Sequence, residues 1–395
     1  MLPSQVTDHD PNPWLVLSLA VACGVTVANI YYAQPLIGPI GLSFGIGVSS
    51  AGLIVTMLQI GYVLGLLLLA PLGDLVENRL LILITLGGVV VALAISALAT
   101  SAVVFVAASL LLGITATGTQ MIVPVAAHLA PERSRGRIVG TVMSGLLVGI
   151  LLARPLATLV SGPFGWRAIY VLSAAAMCLT VAMLAMVLPR RQPDNAQSYP
   201  RLIASLWDVL VTNPVLQRRA FYQAMLFAAF TLFWTAMPLL LQQPPFSLGH
   251  LGLSAFLLSG IAGAFVAPLA GRLADRGHTD VVTAVGIAAV TLSFGLAWLG
   301  SRGSLALMVI AGILLDAGTQ ATHITSQRMI YLLPADIRSR LNALYLAIFF
   351  FGGAAGSAIS GFAVTHGGAA TVCAVGVGIG CIVVAALVIE ILSRR

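Results

Sequence analysis

The chain has 395 residues, 59% hydrophobic and 8% charged, with a mean hydropathy of +1.04. A water-soluble domain of this length cannot bury so much apolar surface, so the composition excludes a soluble protein and implies an integral membrane protein. The formal charge of +7 rests on 19 basic residues, all Arg; they sit in short clusters between apolar runs, which reads as a topology signal and excludes nucleic acid as a partner.

Residues 1 to 12 are polar, carry Asp8 and Asp10 without Arg, and lack a small-residue cleavage site, so residues 1–13 are expected to form an uncleaved tail. The apolar runs that follow are each long enough to cross about 30 Å of hydrocarbon and show no barrel-like alternation. Pro, Gly and Arg clusters divide them into twelve helices centred near residues 27, 60, 90, 115, 149, 178, 230, 261, 290, 317, 351 and 380. The predicted organisation is a six-helix bundle over 14–188, a linker over 189–218, a second bundle over 219–392 and a tail over 393–395. Within the linker Ile203, Leu206, Trp207, Leu210 and Val211 share one helical face, which predicts a helix lying along the membrane surface until Asn213-Pro214 ends it.

Three phrases recur half a chain apart. Ala70-Pro71-Leu72 returns as Ala267-Pro268-Leu269, Gly118-Thr119-Gln120 as Gly318-Thr319-Gln320, and Pro131 with Arg135 and Arg137 as Pro334 with Arg338 and Arg340, at offsets of 197, 200 and 203. Offsets that grow in order mark two homologous halves, the architecture of a secondary transporter in a chain this apolar. With both termini inside, fifteen of the nineteen Arg fall on the cytoplasmic side, including Arg79, Arg276, Arg394 and Arg395, so the positive-inside bias orients the chain.

The polar residues inside the spans carry the chemistry. Asp316, Gln320, His323 and Gln327 in the tenth span are spaced four, three and four, which aligns them on one helical face. A carboxylate at mid-membrane costs about 2.5 to 3.5 kcal/mol even on a lenient insertion scale, so this face must meet a wet cavity or a partner. The first-half counterparts are Ala116, Gln120, Val123 and Ala127. Because most of those are apolar, the stripe is not needed for the fold. Asp316 is the candidate proton site and His323 the second; the alternative is a fixed structural contact to a neighbouring helix.

Arg154, deep in the fifth span, is permanently charged and can serve as a counter-ion or anchor but not as a proton carrier. Arg328 lies near a span end and can snorkel to the surface. Candidate cavity residues are Asn29, Tyr32, Gln59, Gln120, Arg154, Gln223, Phe230, Trp234, Gln320 and Tyr345, an aromatic set with few fixed charges that suits an amphipathic or weakly polar solute. Aromatic stripes also serve plain helix packing. Gly140, Gly145 and Gly149 read as a packing face. The cysteines Cys23, Cys178, Cys373 and Cys381 lie in apolar runs with no metal-ligand spacing, and the six His are scattered, so no metal, cofactor or enzymatic centre is expected.

Several motifs resemble the major facilitator superfamily, and within it the bacterial proton-coupled drug and sugar efflux branch. Gly271-Arg272-Leu273-Ala274-Asp275-Arg276 is similar to the family's loop between the eighth and ninth helices, and Gly73-Asp74-Leu75-Val76-Glu77-Asn78-Arg79 to a degraded copy after the second. Asn29-Ile30-Tyr31-Tyr32-Ala33-Gln34-Pro35-Leu36, Arg135-Gly136-Arg137 and Gly165-Trp166-Arg167 strengthen the likeness. The antiporter motif of the fifth helix falls on Gly140, Gly149, Ala153, Arg154, Ala157 and Thr158, with Arg154 where the family has Pro, and the Arg common in the fourth helix is missing between Leu110 and Thr117. The resemblance implies an all-α membrane protein of two pseudo-symmetric bundles, a monomer in the bacterial inner membrane, and a cytoplasmic latch from Asp74, Glu77, Arg79, Asp275 and Arg276. It also implies exchange of protons for a small molecule by alternating access. Symport or passive uptake is the alternative within transporters, and a non-transporting sensor or assembly subunit is a remote one.

Overall fold

The computed structural model describes residues 11–193, 198–334 and 337–393. The expected tails at residues 1–10 and 394–395, with Asp8, Asp10, Arg394 and Arg395, lie outside the described residues, as do 194–197 of the linker. Among the described residues ten helices are long and apolar enough to cross a membrane. Nine supply the second to tenth spans: Val48–Asp74, Asn78–Leu98, Ala102–Leu129, Arg135–Phe164, Arg167–Val187, Pro214–Leu241, His250–Asp275, Thr279–Gly300 and Leu305–Tyr331. The tenth, Arg338–Ser393, has 56 residues and turns at Gly368, whose φ of 58° a side chain would disfavour, so it makes the eleventh and twelfth passes. The first span is assembled from Pro13–Ala28, Gln34–Leu36 and Ile37–Phe44. The α-helix ends at Ala28, turns with i→i−3 bonds carry the chain on to the 3-10 turn, and Pro35 has no N–H to donate there.

The two halves pair their spans alike. The first packs on the fifth as the seventh packs on the eleventh; the second on the fourth as the eighth on the tenth; the third on the fourth as the ninth on the tenth. The third meets the sixth as the ninth meets the twelfth, where Gly376 lies under Phe294 and Gly380 under Thr291. Small residues set how close these pairs come, because a membrane offers no hydrophobic drive between helices and contact depends on fit. At the first and fifth spans, a Cβ on Gly149 would stand 2.1 Å from the Gly24 carbonyl oxygen and one on Gly145 2.3 Å from that of Ala20. Gly140, grouped with them by sequence, faces open space.

The halves meet mainly at the end of the bundle opposite the Arg-rich loops. There Thr56 Oγ1 lies 3.0 Å from Ser357 Oγ, and Ser254 Oγ donates to the Pro155 carbonyl at 3.2 Å. Gly162 backs onto His250 at the same level. At the Arg-rich end, among the described residues, Ser339 Oγ donates across the halves to Asp74 Oδ2 at 3.3 Å. Tyr199–Thr212 forms the linker helix, and the Tyr199 hydroxyl donates to the Leu68 carbonyl at 2.9 Å. Its buried residues are Leu202, Leu206 and Val209, spaced four and three, while Trp207 and Val211 are exposed. Ile203 and Leu210, half-buried, pack beside the buried three, so the expected apolar face is shared between the bundle and the exposed side of the helix.

A Gly149→Val substitution drives a branched side chain into the Gly24 backbone, and overpacking of this kind costs about 1 to 3 kcal/mol. Thermal unfolding in detergent should show a clearly lowered midpoint, whereas Gly140→Ala should leave it unchanged.

Candidate functional site

Between the halves lies a cavity of about 280 Å³ that runs from mid-membrane toward the Arg-rich end. Six spans supply most of its wall, and the chemistry is uneven. The fifth span contributes an apolar stripe of Met143, Leu146, Leu147, Ile150 and Leu151. The seventh and eleventh contribute Phe227, Phe230, Phe349 and Phe350, whose rings stack or meet edge to face; Phe227 and Phe349 have centroids 3.8 Å apart. The tenth contributes Asp316, Thr319, Gln320, His323 and Gln327. Asp316 is the one charged side chain on the wall among the described residues.

The tenth span forms this stripe because Leu305–Tyr331 stays helical throughout, so residues four and three apart remain on one side. Asp316 is 8% exposed and its Oδ2 accepts a hydrogen bond from Trp234 Nε1 at 2.9 Å. On the eighth span Gly260 and Gly263 come against it, and a Cβ on Gly260 would lie 3.5 Å from both carboxylate oxygens. His323 Nδ1 is 3.0 Å from the Tyr345 hydroxyl, with the two rings stacked. Tyr345 itself is fully buried and holds His323 from behind.

Arg154 sits just beyond the closed end of the cavity. It is 2% exposed, and its Nε donates to Gln34 Oε1 at 2.7 Å. Its guanidinium carbon lies 5.1 Å from the ring centre of Tyr31 and 4.9 Å from those of both Phe230 and Trp234. Rings at that distance attract a cation through their quadrupole, and more strongly once water is removed. Arg154 Nη2 has no hydrogen-bond partner among the described residues. Among the described residues no direct ion pair joins Arg154 to Asp316. The same Trp234 touches both, ring face to the cation and N–H to the carboxylate.

Of the residues expected on the cavity, Gln120, Gln223, Phe230, Gln320, Asp316 and His323 come together on its wall. Gln120 Nε2 donates to Tyr62 at 3.1 Å, while Gln223 Oε1 and Thr319 Oγ1, both buried, lack a partner. Arg154, Trp234 and Tyr345 stand one layer behind. Asn29 and Tyr32 are placed elsewhere: Asn29 Nδ2 donates to the Val25 carbonyl at 2.8 Å and its Oδ1 accepts from Ser173 at 2.6 Å, tying the first span to the sixth. Tyr32 also meets Ser173. Gln59 is fully buried between the second and eleventh spans, against Gly353. Sequence reasoning passed over Tyr31 and Gln34. The break before Pro35 rotates that face, so regular helical spacing selects the wrong neighbours.

The latch residues also separate. Asp275 pairs with Arg328 at 3.0 Å instead of with Arg276, which is exposed, so Arg328 is an ion-pair partner as well as a surface-seeking charge. Arg79 donates to the Ala185 carbonyl within its own half. Glu77 Oε1 is buried without a hydrogen-bond partner among the described residues, and Asp74 reaches Ser339. A second cluster went unread in the sequence. Glu390, 6% exposed, accepts from the Tyr222 hydroxyl at 2.6 Å and lies 3.4 Å from Arg218, tying the twelfth span to the start of the seventh.

Residues 18–332 match the family model described as Major Facilitator Superfamily. The chain belongs to this superfamily. It is 40% identical over 373 residues to the uncharacterized transporter YgaY of Escherichia coli O157:H7, covering 93% of each chain. It is 28% identical over 282 residues to the chloramphenicol resistance protein of Streptomyces lividans, covering 70% of each. The nucleoside transporter NupG has the same fold, with a TM-score of 0.74 at 16% identity over 96% of this chain and 99% of that one. As a member of the Major Facilitator Superfamily the protein is a multi-pass membrane transporter, and the cavity between its halves is the place to look for its solute.

Substituting the buried Glu390 by Ala leaves the Tyr222 hydroxyl and Arg218 without their acceptor, a loss of about 2 to 3 kcal/mol for a charged hydrogen bond. Its thermal midpoint in detergent should fall well below that of Asp275→Ala, whose exposed ion pair contributes little.

Proposed function

We propose that the protein is a proton-coupled antiporter of the bacterial inner membrane that exports a small amphipathic organic solute by alternating access. The observation that carries this reading is the cavity wall: one carboxylate, Asp316, amid amides and aromatic rings. A proton and a bound solute can each neutralise this one carboxylate, and because both act on the same group they compete. His323 lies two turns along the same face and is the second group able to exchange a proton.

With the Arg-rich loops and both termini placed on the cytoplasmic side, a cavity reaching toward that end is accessible to cytoplasmic solute, as export requires. The closed end, where Thr56 meets Ser357 and Ser254 meets Pro155, then faces outward. Likeness to a chloramphenicol resistance protein supports export of a drug-like solute. The cross-half contact of Asp74 with Ser339 is the part of the latch that would break and re-form as the halves rock.

Inside-out vesicles with an imposed proton gradient and a pH dye test the coupling, using a panel of cationic drugs, neutral drugs, sugars and amino acids. Wild type should release protons on addition of its solute, and Asp316→Asn should abolish that release. Proton release that persists in the mutant would remove Asp316 as the coupling group.

A further inference from the structure

The Arg154 cage joins the two halves at the closed end of the cavity. Arg154 and Tyr31 come from the first half, Phe230, Trp234 and Asp316 from the second. Its charge balance depends on one group. The guanidinium cannot lose its proton, is 2% exposed, and has Gln34 as its neutral hydrogen-bond partner. The groups facing Asp316 are Trp234 from the seventh span, the backbone of Gly260 and Gly263 from the eighth, and Arg154 and Tyr31 through the field across the indole. On its own span the neighbours are Gln320 and, one turn further, His323.

We propose that Arg154, Trp234 and Asp316 form a charge lock that holds the far end shut while Asp316 is ionised and that releases when a proton or a cationic solute neutralises it; this rests on Asp316 as the coupling carboxylate. The ionised, empty site sums to zero charge, one anion against one cation. Protonation leaves Arg154 as a buried, uncompensated cation, and burying such a charge costs several kcal/mol, a cost relieved when the halves part and water reaches it. A bound monocation produces the same sum of one positive charge. A neutral solute leaves the sum at zero and an anion makes it negative, so neither mimics the proton. The lock therefore names the solute class, an organic monocation with an apolar body that fits the aromatic wall. It also makes exchange obligatory, because only the loaded states relieve the contact.

Trp234 is the positioning residue of the lock. Its N–H fixes the indole against the carboxylate, and the fixed ring face holds the guanidinium. Trp234→Phe keeps an aromatic face and removes the N–H, so it separates the relay from simple packing.

The test needs no solute. In full-length protein with Cys23, Cys178, Cys373 and Cys381 replaced by Ala, a Ser254→Cys reporter sits in the buried contact between the halves at the closed end. Labelling by a membrane-impermeant maleimide in detergent reports opening of that contact. At pH 8 the lock predicts slow labelling of the reporter protein, and labelling faster on the order of tenfold for Arg154→Gln, Trp234→Phe and Asp316→Asn. Because maleimide adds to the thiolate, each rate is divided by that of the same protein unfolded at the same pH; on that scale, lowering the pH to 5 should accelerate the reporter protein and leave Asp316→Asn unchanged. In vesicles, Arg154→Gln should leak protons without any solute, because its empty form no longer stays shut. Unchanged labelling in Arg154→Gln and Trp234→Phe would overturn the lock whatever is found for transport, as would equal acceleration by Gln120→Ala, a cavity residue outside it. In the vesicle panel, proton release by neutral or anionic solutes and not by cations would overturn the solute class. If Asp316→Asn still exchanged protons while Arg154→Gln and Trp234→Phe kept their fast labelling, the coupling assignment would fall and this coupled form of the lock with it.

Discussion

A charge inside a bilayer has to be answered by the protein's own groups, since hydrocarbon supplies neither hydrogen bonds nor counter-ions. Two such charges stand close together here, Arg154 on the fifth span and Asp316 on the tenth, and one indole serves both of them. The remaining geometry of the centre follows from that demand. The eighth span must present Gly260 and Gly263 where it passes the carboxylate, and the first span must break before Pro35 so that Tyr31 and Gln34 can both reach the guanidinium. Phe230 then closes the cage from the seventh span and also lines the cavity.

Around that centre the fold is nearly symmetric and the chemistry is not. Corresponding spans pair alike in both halves, with glycines bringing backbones together at the first and fifth spans and again at the seventh and eleventh, where Gly352 lies against Ala224. The polar stripe belongs to the tenth span, while the fourth offers Gln120 amid apolar neighbours. A rocking carrier needs two rigid, similar bodies to move about a midplane site, yet it needs only one group whose charge changes. The asymmetry of the halves puts the carboxylate of the cavity wall in the second half and the buried guanidinium of Arg154 in the first.

The ion pairs at the Arg-rich end divide by burial. Arg219 is 2% exposed, and joins Asp280 at 3.3 Å and Thr283 at 3.0 Å, fastening the seventh span to the ninth; Glu390 and Tyr222 fasten the seventh to the twelfth. These contacts stay within the second half and serve its integrity. Asp275 with Arg328 is solvent-exposed and adds little to stability. The cross-half contact of Asp74 with Ser339 is a single hydrogen bond, weak enough to break during a cycle.

Much of this was legible in the residue order, and for definite reasons. Long apolar runs have one stable form in lipid, so the number of passes and the two-fold repeat could be read directly. The stripe of Asp316, Gln320, His323 and Gln327 was legible because that helix is unbroken, and helical spacing is then a reliable ruler. The first span defeated the same ruler: its interruption turned Asn29 and Tyr32 toward Ser173 and brought Tyr31 and Gln34 to Arg154. Arg328 found Asp275 across 53 residues, and Tyr222 found Glu390 across 168. Sequence by itself determined what must be buried, what must cross and which face of a regular helix is polar, because those depend on local composition and period. Tertiary structure alone decided which charges answer one another, because a partner is chosen by the packing of helices far apart in the chain.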